Sequence, residues 1–350
     1  AGVAVLSLGH CHPYLVDVLI KQAKNLWHTS NLFHIAEQEK LAQRLAQNSF
    51  ADRVFFTNSG AESVECGLKV ARRYHDVNGD PERYRVITFE GAFHGRTLAT
   101  MAAGQQKRHL AGFGPPLDGF DQVEYGNLKA ARSAVTANTA AILVEPIQGE
   151  AGARVPPKGF LRGLREICDE SGLLLFVDEI QTGIGRSGHL FAYQQEEILP
   201  DIISLAKGLG SGFPVGACMT TEKASEGMTA GTHGSTFGGN PLAMAVGNGV
   251  LDVILAPGFL KNVQELASKF FEMLSELVQK NGNFYTGLTG AGFLLGLQCK
   301  HENNFLITKL LDHGLLVAKA DNNTIRLLPP LIVEETHLQE AINILQEVVE

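Results

Sequence analysis

The sequence lacks the features that mark membrane and secreted proteins. No apolar run approaches the length needed to cross a bilayer. Only five cysteines occur in 350 residues, their number is odd, and none has Cys-x-x-Cys spacing. This favours reduced thiols over a disulfide framework. The first residues also lack the basic region of a signal peptide. We therefore expect a cytoplasmic protein without a membrane partner.

An excess of positive charge is missing as well. Lys and Arg number 29 against 37 Asp and Glu, which gives a net charge of -8. Nucleic acid binding requires clustered Lys and Arg, so this balance argues against nucleic acid as a main partner. The hydrophobic content of 45% is typical of a globular protein with a large core. A chain of 350 residues is long enough for two lobes.

Apolar runs alternate with helical patterns through the first 255 residues. The runs predict strands at 54–56, 85–89, 140–144, 173–177 and 201–206. Apolar residues at helical spacing predict helices at 14–25, 37–47, 62–74, 160–171 and 240–255. Strands that read as continuous apolar runs between helices indicate an α/β fold, with a mostly parallel sheet covered on both faces.

The pattern changes after Pro257-Gly258. A long amphipathic helix is predicted first, and short strands and a last helix follow at 259–280, 293–299, 315–318, 324–328 and 335–349. This rhythm indicates a smaller α+β lobe. We predict three parts: an N-terminal segment at 1–30 that packs on the small lobe, a large domain at 31–255 and the small domain at 256–350.

One lysine lies where its amine is poorly solvated. Lys207 stands between the apolar run 201–206 and a glycine-rich loop, which should lower its pKa. A neutral amine can form a Schiff base with a carbonyl compound. Asp178 ends the neighbouring apolar run. Pyridoxal phosphate needs such a pair, an amine for its aldehyde and an acid for its pyridine nitrogen. Taken alone, a lysine at a strand end is more often a surface residue.

Two further patterns suggest other chemistry. Residues 183–188 match G-x-G-x-x-G, which would fit an NAD-dependent oxidoreductase. Five residues separate this motif from its strand and no glycine-started helix follows, so a dinucleotide fold is disfavoured. His10 and His12 could ligate a metal, but no further ligand accompanies them nearby, and we expect a structural loop without metal.

Ordered motifs along the whole chain resemble those of one family. Residues 177–188 and 205–210 are similar to the two signature segments of the class III, omega-amino-acid aminotransferases. The likeness continues at 58–62, 93–97, 145–150 and 234–241. It implies a pyridoxal-phosphate-dependent transferase of fold type I that works as a homodimer with shared active sites. Members of the family carry a further N-terminal segment before the motif at 8–13, so we expect a preceding segment that supplies part of the substrate pocket.

The resemblance also assigns residues to the cofactor. It implies that Lys207 holds pyridoxal phosphate and moves the substrate proton, while Asp178 pairs with the pyridine nitrogen. The implied contacts of the phosphate are with Ser59, Gly60 and Ala61, and with Thr236 of the neighbouring subunit. Phe93 is expected to stack on the ring face, and Gln181 to bond near the phenolic oxygen. Backbone N–H groups between a strand and a helix do form an anion site, although an ordinary helix N-cap is the alternative reading of Ser59.

Four residues are assigned to substrates in the same way. Arg96 offers a fork for a carboxylate, and Ser235 lies close to the same substrate. Arg326 is expected to bind the α-carboxylate of glutamate or 2-oxoglutarate, with Glu150 masking its charge in alternate half-reactions. The implied reaction is a ping-pong transfer of the δ-amino group of N2-acetyl-L-ornithine to 2-oxoglutarate, in arginine biosynthesis. Ornithine, succinylornithine and 4-aminobutyrate remain alternative donors, and an aminomutase of the same fold is a more distant alternative.

Overall fold

The computed structural model describes residues 1–349, so residue 350 of the predicted small domain lies outside the described residues. The helices are α1 Pro13–Ala23, α2 Ala36–Gln47, α3 Gly60–Val77, α4 Leu98–Gly104, α5 Lys107–Leu110, α6 Leu128–Ser133, α7 Phe160–Ser171, α8 Pro241–Ile254, α9 Phe259–Lys280, α10 Asn303–Asp312 and α11 Glu335–Glu347. The strands are β1 Arg53–Thr57, β2 Arg85–Phe89, β3 Phe120–Val123, β4 Thr139–Val144, β5 Leu174–Asp178, β6 Ile202–Leu205, β7 Gly216–Thr220, β8 Tyr285–Ala291, β9 Leu294–Cys299, β10 Ala318–Ala320 and β11 Thr324–Leu327.

The larger sheet has seven strands in the order β1-β7-β6-β5-β4-β2-β3. Strand β7 runs antiparallel to both of its neighbours, and the remaining pairs are parallel. The predicted mostly parallel sheet is therefore confirmed. Strand β7 is not predicted from the sequence, since Gly-Ala-Cys-Met-Thr has no β-branched residue before its last position. The short, half-buried edge strand β3 is not predicted either.

Both faces of this sheet are covered. Ile142 and Val144 of β4 belong to one apolar cluster, and the alternate residues Ala141 and Leu143 belong to another. Helix α3 covers the second face, and Gly67 of this helix lies against the sheet. A Cβ on Gly67 would lie 2.3 Å from the Phe176 ring of β5, so only glycine lets the helix lie this close.

The smaller sheet is antiparallel, in the order β10-β11-β9-β8. Helix α9 and strands β9 and β11 lie where the sequence predicts them. The predicted strand at 315–318 is wrong in position, because only residue 318 belongs to β10. Leu315 instead bonds through its N–H to Leu310 O at the end of α10, and Leu316 is largely exposed. Strand β8 was missed because two glycines interrupt its pattern, and helix α10 was missed as well.

The first residues contact both lobes. The N–H of Leu331 donates to Ser7 O at 2.7 Å, while Tyr14 of α1 donates its hydroxyl hydrogen to Asp252 of α8 at 2.7 Å. The domain boundaries themselves stay predictions. Among residues 1–349 no single helix could span a membrane, although α8 and α9, bent by 70° at their junction, reach the required length and apolar composition as a pair.

The glycine-rich loop at 183–188 lies between the lobes. Arg186 of this loop is buried and donates to the carbonyls of Phe293 and Pro329. A Cβ on Gly185 would lie 2.9 Å from the Leu331 side chain. The glycines of the G-x-G-x-x-G pattern thus allow close packing of the loop against the small lobe.

Candidate active site

Two adjacent parallel strands bring the predicted lysine and acid together. Asp178 is the last residue of β5 and is paired in register with Ser204 of β6. Lys207 follows two residues after the end of β6. Because parallel strands end at the same edge of a sheet, both side chains line one cavity of about 390 Å³. The backbone of Lys207 is left-handed, with φ of 38°.

Eight of the twelve predicted site residues line this cavity: Ser59, Gly60, Ala61, Phe93, Arg96, Asp178, Gln181 and Lys207. Ser235 does not line the cavity; its hydroxyl accepts from the side-chain amide of Asn58, a lining residue, at 3.2 Å. Thr236 is exposed and does not line the cavity. Glu150 and Arg326 do not line it, but Arg326 donates to the side-chain oxygen of Gln181, which does. The structure therefore brings the cofactor set together, apart from the residue assigned to a neighbouring subunit.

The environment of Lys207 favours a neutral amine. Burial lowers the pKa of Lys207 to about 8, although the carboxylates of Glu150, Asp178 and Glu145 oppose this shift. The expectation of a lowered pKa is confirmed. A lysine with such a pKa is a much better nucleophile near neutral pH than an ordinary surface lysine.

Asp178 is fixed by two hydrogen bonds. One carboxylate oxygen lies 2.8 Å from His94 Nδ1, and the other accepts from the N–H of Ile180 at 3.0 Å. Both Asp178 and His94 are buried. A buried carboxylate held in this way can pair with a cationic group in the cavity. No role was predicted for His94, although it follows Phe93 in the motif at 93–97.

A second buried carboxyl group was also missed. Glu145 follows the end of β4, lines the cavity and accepts from the N–H of Phe93 at 3.1 Å. Burial, reinforced by the nearby Asp178 carboxylate, raises the pKa of Glu145 well above its usual range. Its position in the sequence could have indicated it, because Glu145 directly follows the predicted strand 140–144, just as Asp178 directly follows the predicted strand 173–177.

The start of α3 forms the other end of the cavity. Gly60 and Ala61 are the first residues of this 18-residue helix, so their N–H groups have no partner within the helix. Such N–H groups and the helix dipole bind anions. The hydroxyl of Ser59 accepts from the N–H of Glu62 at 3.3 Å, so Ser59 is an N-cap. A Cβ on Gly60 would lie 2.8 Å from Ile180, so this position has no room for a side chain.

The rim of the cavity carries Phe93 and Arg96. The Arg96 guanidinium lies over the Phe93 ring, 5.4 Å from its centroid, and the Arg96 side chain is exposed. The His109 ring packs edge-on against Phe93 with a centroid distance of 5.8 Å. The arginine fork is therefore available to a carboxylate at the cavity entrance.

The predicted Glu150–Arg326 pair is present. Arg326 donates to the Glu150 carboxylate at 2.8 Å, to Lys319 O at 2.8 Å and, at 3.4 Å, to the side-chain oxygen of Gln181. Arg326 is buried, with 2% of its surface exposed. A buried guanidinium is stable only if a counter-ion or ligand accompanies it. Glu150 supplies that charge here, and a substrate carboxylate could supply it instead.

The donor set of the cavity fits pyridoxal phosphate. It combines an amine with a lowered pKa, a carboxylate anchored on the adjacent strand and helix N–H groups without a partner in the helix, which match an aldehyde, a pyridine nitrogen and a phosphate. The side-chain nitrogen of Gln181 is also buried and has no hydrogen-bond partner in residues 1–349. A ligand oxygen in the cavity could satisfy it.

Comparison with known proteins agrees with this fit. The family model for class III aminotransferases matches residues 1–349, so this chain belongs to the class III aminotransferases, which use pyridoxal phosphate. It is 56% identical to an acetylornithine aminotransferase of Brucella melitensis, over 100% of this chain and 87% of that protein.

Solved structures show the same fold. An ornithine aminotransferase from Toxoplasma gondii, described with partial occupancy of PLP at its active site, superposes with a TM-score of 0.95 at 33% identity, covering 99% of this chain and 84% of that one. An acetylornithine aminotransferase from Elizabethkingia anophelis has a TM-score of 0.87 at 32% identity, over 99% and 87% of the two chains.

Proposed function

We propose that this chain transfers the δ-amino group of N2-acetyl-L-ornithine to 2-oxoglutarate, in a ping-pong reaction of arginine biosynthesis. The observation that carries the substrate assignment is the 56% identity over the whole chain to a relative named acetylornithine aminotransferase. The cavity that joins Lys207 and Asp178 supports the reaction class. Two arginines, Arg96 and Arg326, can each bind a carboxylate, which supports an acceptor with two carboxylates.

Pyridoxal phosphate, when bound, supplies a ring that accepts the electron pair of the substrate carbon. Lys207 would hold the cofactor through its amine, and the same amine would move the proton between the substrate carbon and the cofactor carbon. Asp178 holds the proton on the pyridine nitrogen, and His94 keeps the Asp178 carboxylate in place. Phe93 would cover one face of the ring, and the unpartnered side-chain nitrogen of Gln181 would donate to the phenolic oxygen.

The phosphate is assigned to the start of α3. Gly60 and Ala61 bind it through their N–H groups, next to Ser59. Thr236 adds a hydroxyl from a second copy of the chain, so the working unit is a homodimer. The exposed position of Thr236, outside the cavity of its own chain, supports this arrangement.

Two arginines divide the substrate carboxylates between them. Arg96 at the rim binds the carboxylate of the acetylated donor, and Ser235 is assigned to the same substrate. Arg326 binds the α-carboxylate of glutamate or 2-oxoglutarate once Glu150 moves aside. When the donor enters, Glu150 stays on Arg326 and masks its charge. One cavity thereby accepts two unlike substrates in turn.

The domain boundaries and the cellular compartment are part of the proposal. The seven-stranded sheet lies within 53–220 and the four-stranded sheet within 285–327, which supports a large domain at 31–255 and a small one at 256–350. We place the enzyme in the cytoplasm, where the free thiols of its five cysteines remain reduced.

Free ornithine is the second candidate donor, because ornithine aminotransferases are among the similar structures. Single-turnover reactions of the cofactor-loaded protein with acetylornithine, ornithine, succinylornithine and 4-aminobutyrate separate the candidates. We expect the highest kcat/KM with acetylornithine. A higher value with free ornithine would overturn the substrate assignment and leave the aminotransferase class intact. An isomerised product formed without a keto acid would identify an aminomutase.

A further inference from the structure

A two-point ion pair joins the lobes close to the substrate residues. The guanidinium of Arg108 in α5 donates to both carboxylate oxygens of Asp321, at 2.7 and 2.8 Å. Asp321 lies in the turn between β10 and β11 of the small lobe. Planar two-point pairs of this kind fix geometry as well as attract, since both hydrogen bonds must be made together.

The same turn holds the loop that carries Glu150. The N–H of Asp321 donates to Glu150 O at 2.9 Å, and the side-chain amide of Asn322 donates to Ala151 O at 3.0 Å. Arg326, on the next strand, donates to Lys319 O on the other side of the turn. Glu150 and Arg326 are thus both positioned by the β10–β11 hairpin.

The opposite end of the ion pair is tied to the cavity rim. Gln106 donates to Ala92 O at 2.8 Å and accepts from the Arg108 guanidinium at 3.0 Å. His109, next to Arg108 in the chain, packs on the Phe93 ring. A continuous set of contacts therefore runs from the cofactor-facing Phe93 through Arg108 and Asp321 to Glu150.

We propose that Arg108 and Asp321 are positioning residues that keep Glu150 on Arg326 while the amine donor occupies the site, and that they thereby set the balance between the two substrates. This inference rests on the proposed function. The ion pair is half-exposed, so its contribution to folding is small. Its effect is geometric, because a small displacement of a charged group in a site changes which substrate is bound best.

The test uses Arg108→Gln and Asp321→Asn in the cofactor-loaded enzyme. Each substitution removes one half of the two-point pair and leaves the Asp321 backbone N–H in place. Without the pair, Glu150 leaves Arg326 more readily. This exposes the positive charge of Arg326 to the δ-ammonium end of the donor and frees Arg326 for glutamate. We expect the ratio of kcat/KM for acetylornithine to kcat/KM for glutamate to fall about three- to tenfold, mainly through KM, which corresponds to roughly 1 kcal/mol.

Three comparisons make the result decisive. The double variant should match the single variants, because either change breaks the same pair. Arg53→Gln breaks an exposed Arg53–Glu222 ion pair remote from the cavity and should leave the ratio unchanged. Both kcat/KM values are measured on the same preparation of each variant. Any misfolded fraction therefore lowers both values equally and does not change their ratio. Equal losses with both substrates, or no change, would overturn the inference, whereas a wild-type protein inactive with both substrates would overturn the proposed function instead.

Discussion

The amine of Lys207 has carboxyl groups around it and is still easier to deprotonate than an ordinary lysine. Desolvation outweighs the attraction of three carboxylates, because burial is the larger cause of the shift. Position in the sequence was enough to predict this direction, since Lys207 follows a buried strand. The His94 partner of Asp178 was not predictable in the same way, because the loop after β2 brings His94 to it.

The pH dependence of cofactor uptake follows from the Lys207 pKa. Since only the neutral amine reacts with an aldehyde, uptake by the cofactor-free protein should rise about tenfold per pH unit below pH 8 and level off above it. Stopped-flow absorbance with pyridoxal phosphate measures this rate, and N-acetyl-lysine under the same conditions is the control. A rate that still rises tenfold per unit near pH 10 would show that the Lys207 pKa is not lowered.

Arg96 offers a test of carboxylate binding at the rim. Arg96→Gln removes the fork while the exposed side chain supports little of the fold, so the melting temperature should not change. Donor binding should weaken by about 1.5–3 kcal/mol, the cost of a lost charged hydrogen-bond pair. Lys107→Gln removes an exposed cation of α5 that does not line the cavity and serves as the control. Unchanged KM for acetylornithine in Arg96→Gln would assign its carboxylate to another residue.

At the scale of elements, α3 shows how packing sets the position of a binding site. Its first turn carries Gly60 and Ala61, and two turns later Gly67 lies against the Phe176 ring. The depth of the helix on the sheet therefore fixes where its N–H groups point. The sequence predicted a helix here and an anion site at its start, but the contact with Phe176 depends on which strand the helix crosses.

Gly67→Ala should destabilise the protein, although alanine favours helices. The new Cβ would lie 2.3 Å from the Phe176 ring, so helix or ring must move, and we expect a loss of about 1–3 kcal/mol in the free energy of unfolding. Cofactor affinity should fall with it, as the start of α3 shifts. Urea unfolding measures the first effect. Adding Phe176→Leu should recover part of both losses, whereas a gain in stability from Gly67→Ala alone would contradict the packing.

Strand order lies beyond what the sequence pattern provides. The apolar runs of β5 and β6 identify two buried strands, and their adjacency was inferred from the cofactor rather than from periodicity. Strand β7 enters between β6 and β1 in the reverse direction, and its small residues give no strand signal. In the small lobe, the strand predicted at 315–318 is wrong because Leu315 and Val317 pack half-buried against the core from a connection outside the sheet, while Leu316 is exposed.

For the molecule as a whole, Glu179 makes stability depend on pH. This buried carboxyl group accepts from the N–H of Tyr193 and from the Thr182 hydroxyl, and burial raises its pKa to about 7. Its folded-state pKa lies above the unfolded value of 4.5, so its stabilising contribution is complete below pH 4.5 and is lost as pH rises through 7.

We therefore expect wild type to lose about 3 kcal/mol more than Glu179→Gln between pH 4.5 and 8. Glutamine keeps the oxygen that accepts from Tyr193, and it cannot ionise. Chemical unfolding of both proteins across this range gives the comparison, and other titrating groups cancel in the difference. Parallel curves would show that Glu179 titrates normally.

The left-handed backbone at Lys207 lowers the stability of the fold, and the reaction is the reason that a side chain is present there. A side chain at φ of 38° is strained, and catalysis requires that a side chain be there. In the cofactor-free protein, Lys207→Gly should therefore melt at a higher temperature than Lys207→Ala, the reverse of the usual order. A higher melting temperature for the alanine variant would refute this. The lysine that the reaction requires therefore stands at a backbone position where glycine would give the more stable fold.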